Sequence, residues 1–408
     1  MLLRPLKIFR RIWTLGHVLV LFDLSAKSQG VSRTIEFDYF GEPVNIQVDD
    51  KFFVPFDCSL NEKSILDFQT SIDKSDQPSI IQTLLDFKLS HHLNDWLFYQ
   101  LIRKTAQQIS PKADNYYRYT LYKWFLLTGS GYDATIKISK DKMLFYVRTD
   151  ETIYNIPYYI KNDRQYVCLN YHDYGSNIDF EKEKFTEIDL SQANGTKAFS
   201  YKISSMPEFK PVAYEEKEIQ FRYNQKDYSF KLKLNPDIKI IFVNYPVVDY
   251  ASYFNIPLSK ETYSSLIPSL KENIKGMTTK QGVDYLMHFT RYAFLFKTDS
   301  ENFGAEKRLT PEQTLLYDES DCDDRAALFF CLVKEIYNLP MIVLVYPEHV
   351  TMAIKFDKPV GKPIIYNGMA YSVCEPTPQK IDLNVGQLLP TLKFQPYEVA
   401  YAYYPTKN

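Results

Sequence analysis

A chain of 408 residues exceeds one ordinary core and predicts two or three domains. With 45% hydrophobic and 24% charged residues it is globular in composition, which excludes intrinsic disorder. A formal net charge of −2 without a basic block leaves no electrostatic footprint for nucleic acid, and none is expected as a partner.

The N-terminus carries Arg4, Lys7, Arg10 and Arg11, then an apolar run over 12–22, then Ala26-Lys27-Ser28 where a signal peptidase reads small residues. Residues 1–28 therefore predict a secretory signal with Gln29 as the mature start, and a periplasmic or extracellular location. Read instead as a short amphipathic segment, the same stretch leaves the protein cytoplasmic. The apolar run is too short to span a bilayer and no later stretch qualifies, so no permanent membrane span is expected.

Alternation at Ile35, Phe37 and Tyr39, a turn at Gly41-Glu42-Pro43 and alternation at Val44, Ile46 and Val48 predict a hairpin, with a short strand over 51–56. Residues 62–127 change period and predict helices, the last around 117–127 and ended by Gly129-Ser-Gly131. Strands follow at 134–138, 143–148 and 166–170. Residues 175–202 are polar and turn-rich, with an Asn194-Gly195 pair, and read as a linker or a connecting sheet, within a connecting segment 176–216. Ile219, Phe221 and Tyr223 open a second hairpin that turns at Asn224-Gln225 and continues through Tyr228, Phe230, Leu232 and Leu234. The sequence then predicts a buried strand over 238–243 and helices over 259–273 and 279–296. High aromatic content, 33 Tyr and 28 Phe, fits half-buried β positions.

The order of elements occurs twice. Ile35-Glu-Phe-Asp-Tyr39 echoes Ile219-Gln-Phe-Arg-Tyr223, and 156–168 echoes 362–374, each segment ending at a cysteine. Two copies of one α+β unit are inferred, 29–175 and 217–408. Alignment sets Asn115 near Cys322, Lys142 near His349 and Leu169 near Glu375. The first copy is thus expected to be degenerate, able to bind or shape a cleft but not to catalyse.

The chemistry concentrates in 318–377. Ala326, Phe329, Phe330, Val333 and Ile336 recur at helical spacing, and Asn338-Leu339-Pro340 stops the helix, so Cys322 sits at its N-terminus. Helix-end N–H groups there are expected to favour a thiolate and to serve as oxyanion donors, while Asp321, Asp323 and Asp324 oppose the thiolate and call for a cation, which His349 as imidazolium would supply. His349 opens a strand after Pro347-Glu348. Asn367-Gly368 closes a hairpin that ends at Cys374-Glu375, where Pro376 blocks extension. Thiol, imidazole and carboxylate in this order predict Cys322 as nucleophile, His349 as base and Glu375 as orienter.

Ser320-Asp-Cys-Asp-Asp-Arg325 before a buried helix, a histidine at a strand start and Glu375-Pro-Thr after the next hairpin resemble the transglutaminase-like cysteine-enzyme superfamily, of the bacterial exported type. Residues 306–314 resemble the segment that leads into its nucleophile, and the resemblance covers about 260–378. It implies an α+β, papain-like cysteine protease-type fold and a Cys-His-carboxylate triad. Glu375 stands where the family usually has Asp, and Ser320 where it often has Gly.

The remaining candidates are structural. Cys331 and Cys374 read as core, and with Cys58 and Cys168 form no C-x-x-C pair, so no zinc site is expected. The carboxylates of Asp318, Asp321, Asp323 and Asp324 lack an EF-hand pattern and read as a charged helix start, with Arg325 as an ion-pair partner. His91, His92, His172 and His288 lack ligand spacing. Neither a cofactor nor a metal is expected. Two functions stay open: an amide-cleaving or amide-transferring cysteine enzyme acting on a peptide or protein, cell-wall peptide included, and a non-catalytic peptide- or glycan-binding or assembly module on the same scaffold.

Overall fold

The computed structural model describes residues 32–57, 59–190, 195–302 and 307–405; the segment read as a signal and Cys58 lie outside the described residues. The chain is a mixed α+β protein. Strands β1 (Ser32–Tyr39) and β2 (Glu42–Asp49) form the first hairpin. Its turn is Phe40-Gly41, with φ of 51° and 97°, the left-handed pair of a two-residue hairpin. The turn thus falls earlier than Gly41-Glu42-Pro43, and Pro43 pairs opposite Asp38 in a two-stranded sheet where a missing N–H is tolerated.

Residues 51–56 are not a strand. After one 3-10 turn (Asp50–Phe52) the chain runs extended with Phe52, Val54 and Phe56 buried. A side chain replaces the missing strand partner: the Tyr122 hydroxyl accepts from Val54 N–H at 2.8 Å and donates to the Phe52 carbonyl at 2.6 Å.

Helices α1 (Glu62–Ile72), α2 (Gln77–Ser90), α3 (Asp95–Ile109) and α4 (Tyr116–Gly129) follow. Asn61, Asn94 and Asn115 cap α1, α3 and α4 through their side chains. The first half then builds β3 (Ala134–Ile138), β4 (Met143–Thr149), β5 (Ile153–Tyr154), β6 (Tyr158–Lys161), β7 (Arg164–Cys168) and β8 (Thr186–Glu187).

Of the two readings of 175–202, linker or connecting sheet, the second holds. These residues supply β8, which pairs with β3, and they bury Phe199 and Tyr201 in the core. Lys197 bridges to Tyr132, and its carbonyl accepts from Asp133 N–H. The backbone passes so close that a Cβ on Gly195 would stand 1.8 Å from the Tyr132 carbonyl oxygen, which only glycine permits.

The second half opens with β9 (Glu215–Tyr223) and β10 (Lys226–Leu234) around Asn224-Gln225, again a left-handed pair. The buried strand expected over 238–243 is helix α5 (Asp237–Phe242), in which Ile238, Ile241 and Phe242 are buried at i, i+3, i+4 while Lys239 and Ile240 face out. Next come β11 (Val247–Val248), α6 (Tyr250–Phe254), α7 (Lys260–Asn273) and α8 (Thr279–Tyr292). Helix α8 ends before Phe296, which lies exposed in β12 (Leu295–Phe296). Then follow α9 (Asp299–Asn302), α10 (Pro311–Leu316), β13 (Glu319–Ser320) and α11 (Cys322–Tyr337). The chain ends in β14 (Met341–Tyr346), β15 (His349–Ile354), β16 (Ile364–Tyr366), β17 (Met369–Cys374) and β18 (Glu398–Tyr403).

Two five-stranded antiparallel sheets result, ordered β6-β7-β4-β3-β8 and β16-β17-β15-β14-β18. Matched in chain order, the two sequences of strands are the same. Pairing of Tyr146 with Cys168 and of Met352 with Cys374 sets Met143, not Lys142, at the place of His349. The helix caps likewise set Tyr116, not Asn115, at the place of Cys322. One apolar core runs through both halves, from Ile35 to Val385. Across the seam β5 pairs with β11, Trp96 Nε1 donates to the Ile241 carbonyl at 2.9 Å, and the Tyr245 hydroxyl donates to the Tyr201 carbonyl at 2.5 Å.

Candidate active site

Cys322 is the first residue of α11. Asp321 is its N-cap, and one of its carboxylate oxygens accepts from the amides of Asp323 (3.1 Å) and Asp324 (3.3 Å). Asp324 reciprocates by accepting from Asp321 N–H, which completes a capping box. These first-turn amides, expected as oxyanion donors, are therefore taken. The Cys322 amide itself has no acceptor among the described residues and is the donor left beside the sulfur.

The sheet delivers the imidazole. Strand β15 packs against α11 and begins at His349, which pairs with Tyr346 across a tight turn. Strand β17 pairs with β15 so that Glu375 follows directly after Cys374, the partner of Met352. His349 Nε2 and Glu375 Oε2 are 2.8 Å apart, with the carboxylate buried. The other oxygen, Oε1, accepts from Thr377 N–H at 2.9 Å. The carboxylate is thus fixed at both oxygens, and Nδ1 is the imidazole nitrogen left for other chemistry.

The Cys322 sulfur lies near the backbone amide of Val350, the residue after His349. Sγ donates to Asp323 Oδ1 at 3.6 Å, and no hydrogen bond joins it to His349 among the described residues. Burial pushes the Cys322 thiol up, and Asp323 and Asp321 push it further; the backbone amide of Val350 offsets only part. Helix-end stabilisation of a thiolate, expected from the sequence, is thus outweighed by desolvation and two carboxylates. Burial alone would lower the His349 imidazole, but the Glu375 hydrogen bond and charge, with Asp323 and Asp321 beyond, carry it above the ordinary histidine value. Burial and the carboxylates thus disfavour the thiolate, while Glu375 favours the imidazolium.

Two buried arginines frame the site, and neither role was legible from local sequence. Arg291 of α8, 1% exposed, donates through Nε and Nη2 to the Glu375 carbonyl at 2.9 and 2.6 Å, and through Nη1 to Asp382 at 2.5 Å. Among the described residues Arg325 forms no ion pair, although the charges of Asp324 and Asp321 act on it. It donates to the carbonyls of Thr290, Arg291, Phe294 and Ser320, closing the C-terminal end of α8 against the start of α11. Asp323 Oδ2 is met by Arg308 Nε at 3.2 Å and the Tyr250 hydroxyl at 3.4 Å. Apart from Ser320, the partners of both arginines are far off in sequence; only the Glu375-Pro-Thr motif carried a signal, through Thr377.

Cys168, Cys331 and Cys374 are buried free thiols. His172 lies beside Asp173, and His288 bridges the Asp284 carbonyl and Asp382. Carboxylates converge in a different set from the one grouped by sequence: ligand atoms of Asp299, Asp321 and Asp324 lie within 4.8 Å of one another, a hard-oxygen set of the kind calcium takes. The positive charge of Lys307 acts on Asp299 and Asp324 from within the chain itself.

No family model, no curated protein and no solved structure matches this chain.

Proposed function

We propose that the protein is a transglutaminase-like cysteine enzyme that attacks an amide carbonyl of a peptide or protein. The observation that carries this reading is the 2.8 Å His349–Glu375 bond, placed by β15 and β17 against a helix that begins with Cys322. In the forward step Nδ1 of neutral His349 takes the Cys322 thiol proton as sulfur bonds to the carbonyl carbon, and the Cys322 amide meets the oxyanion. The C–N bond then breaks, the proton passes from His349 to the leaving amine, and a thioester remains on Cys322. Water or an acceptor amine, deprotonated by His349, releases the acid or a new amide. Both halves are read as copies of one unit, the first without the triad, and residues 1–28 as the export signal of a periplasmic or extracellular enzyme.

A test is acylation by p-nitrophenyl acetate followed by peptide mass mapping. Acetylation at Cys322 with a burst of p-nitrophenol, lost in Cys322→Ala and His349→Ala, is the expected result. Label on Cys322 no faster than on buried Cys331 would overturn it. One observation favours a second reading, a binding module that keeps the scaffold: the thiol bonds to Asp323 and not to His349.

A further inference from the structure

The face of the first five-stranded sheet turned away from the main core carries an aromatic cluster of its own, which includes Tyr146 and Tyr159. Beside them, between β3, β4, β6 and residues 180–185, lies a cavity of about 570 Å³. Two polar groups on its wall are left without a partner. Tyr146 is 4% exposed, and its hydroxyl has no hydrogen-bond partner among the described residues, yet it is not sealed in protein as the Tyr99 and Tyr201 hydroxyls are. Lys137 Nζ likewise has neither a hydrogen bond nor an ion pair among the described residues. It lies 3.1 Å from the centre of the Tyr159 ring and 5.7 Å from that of Tyr146.

Charge on this wall is left over at Lys137. Glu183 is the one carboxylate among the described lining residues, and Lys142 bonds it at 2.8 Å. Glu187 acts on Lys137 without lining the cavity, and it is itself bonded by Lys161. A half-buried ammonium without an acceptor favours an anionic oxygen brought by a ligand. A cationic ligand is disfavoured, because Lys137 already covers the Tyr159 ring. Tyr158 and Phe180 line the cavity at 57% and 44% exposure, so their rings are open to stacking. A hydroxyl and an ammonium set among ring faces suit a ring that is apolar on its face and polar at its edge.

We infer that this cavity binds a sugar ring that carries a carboxylate, a uronic acid unit of an acidic glycan. The carboxylate meets Lys137 Nζ, a ring hydroxyl bonds the Tyr146 hydroxyl, and the C–H face of the sugar lies on the Tyr158 ring. The first half, without a triad of its own, is then an anchor that holds the protein on such a glycan. No residue of the candidate active site takes part, so the inference stands apart from the cysteine-enzyme reading.

The test presents the full chain to immobilised oligosaccharides of galacturonate, glucuronate and mannuronate, with maltose and cellobiose oligomers as neutral references. Retention on at least one acidic series, about tenfold or more above the neutral ones, is the expected result. Tyr146→Phe removes a hydroxyl that bonds nothing in the described chain, so it should leave the urea midpoint unchanged and weaken that retention about fivefold. Lys137→Met should abolish the preference for the acidic series. Tyr158→Ala, at an exposed position, should weaken retention about tenfold. No retention on any acidic series, or retention untouched by Lys137→Met and Tyr146→Phe, overturns the site. Equal retention of acidic and neutral series overturns the pairing of a carboxylate with Lys137.

Discussion

Glu375 acts on His349 through charge and geometry together, and the two can be separated. Proton transfer from a neutral thiol needs a neutral imidazole, and Glu375 holds the imidazole in its charged form above the ordinary histidine range. The acylation rate should therefore climb with pH only beyond about 6.5, the free histidine value. Glu375→Gln keeps an acceptor and removes the charge, so the imidazolium is less favoured and the climb moves to lower pH. The plateau should fall about tenfold or more as orientation loosens. Stopped-flow acylation across pH reads both effects; a profile unmoved by the substitution would show that His349 is not the titrating base. At this scale the sequence was informative for Cys322, His349 and Glu375, because each stands at the edge of a strongly patterned element. It also set the aspartates of 321–324 against a thiolate, and what it did not carry is the desolvation of the sulfur, which comes from burial in the fold.

Elements place these groups, and α8 is the one that ties them. Its Arg291 holds the Glu375 and Leu383 carbonyls and Asp382, while its C-terminal carbonyls are held by Arg325 of α11. Arg291→Met would leave buried carbonyls without donors and should cost about 3 kcal/mol or more in urea unfolding. Arg291→Lys should recover only part, since one ammonium cannot reproduce the planar fork. Equal stability of wild type and Arg291→Met would refute this role. Hairpins and α11 were legible because turn chemistry and period are local: the Asn367-Gly368 turn has both φ values positive, and α11 stops at left-handed Asn338 before Pro340. Residues 238–242 misled because β-branched composition outweighed a helical spacing that was present. Residues 51–56 misled because alternation predicts burial, and here a tyrosine hydroxyl met backbone groups that a strand would have paired.

One apolar core spans both halves of the molecule. Val248 and Phe242 lie in the same cluster as Trp96 and Tyr201, and β5 pairs with β11 across the halves. A fragment of residues 217–405 would expose that seam, and should show a lower urea midpoint than the full chain and lose cooperativity, while the full chain unfolds in a single transition. A fragment with the midpoint and cooperativity of the full chain would show that the halves are independent. The region 175–202 belongs to this scale as well. Its polar, turn-rich composition left a linker and a connecting sheet both open, and β8 with the Gly195 approach to Tyr132 decides for an edge of the first sheet.

By itself the sequence determined the periodic elements, the two similar halves in outline and the ordered thiol, imidazole and carboxylate, because hydrophobic period, caps and two-residue turns are encoded within a few residues. Only the tertiary structure decided which groups share a pocket. The Arg291 hold on Glu375, the convergence of Asp299 with Asp321 and Asp324, and the aromatic seam between the halves all join residues distant in the chain. Their energies come from burial and from contacts made when separate elements pack, and no local pattern contains those.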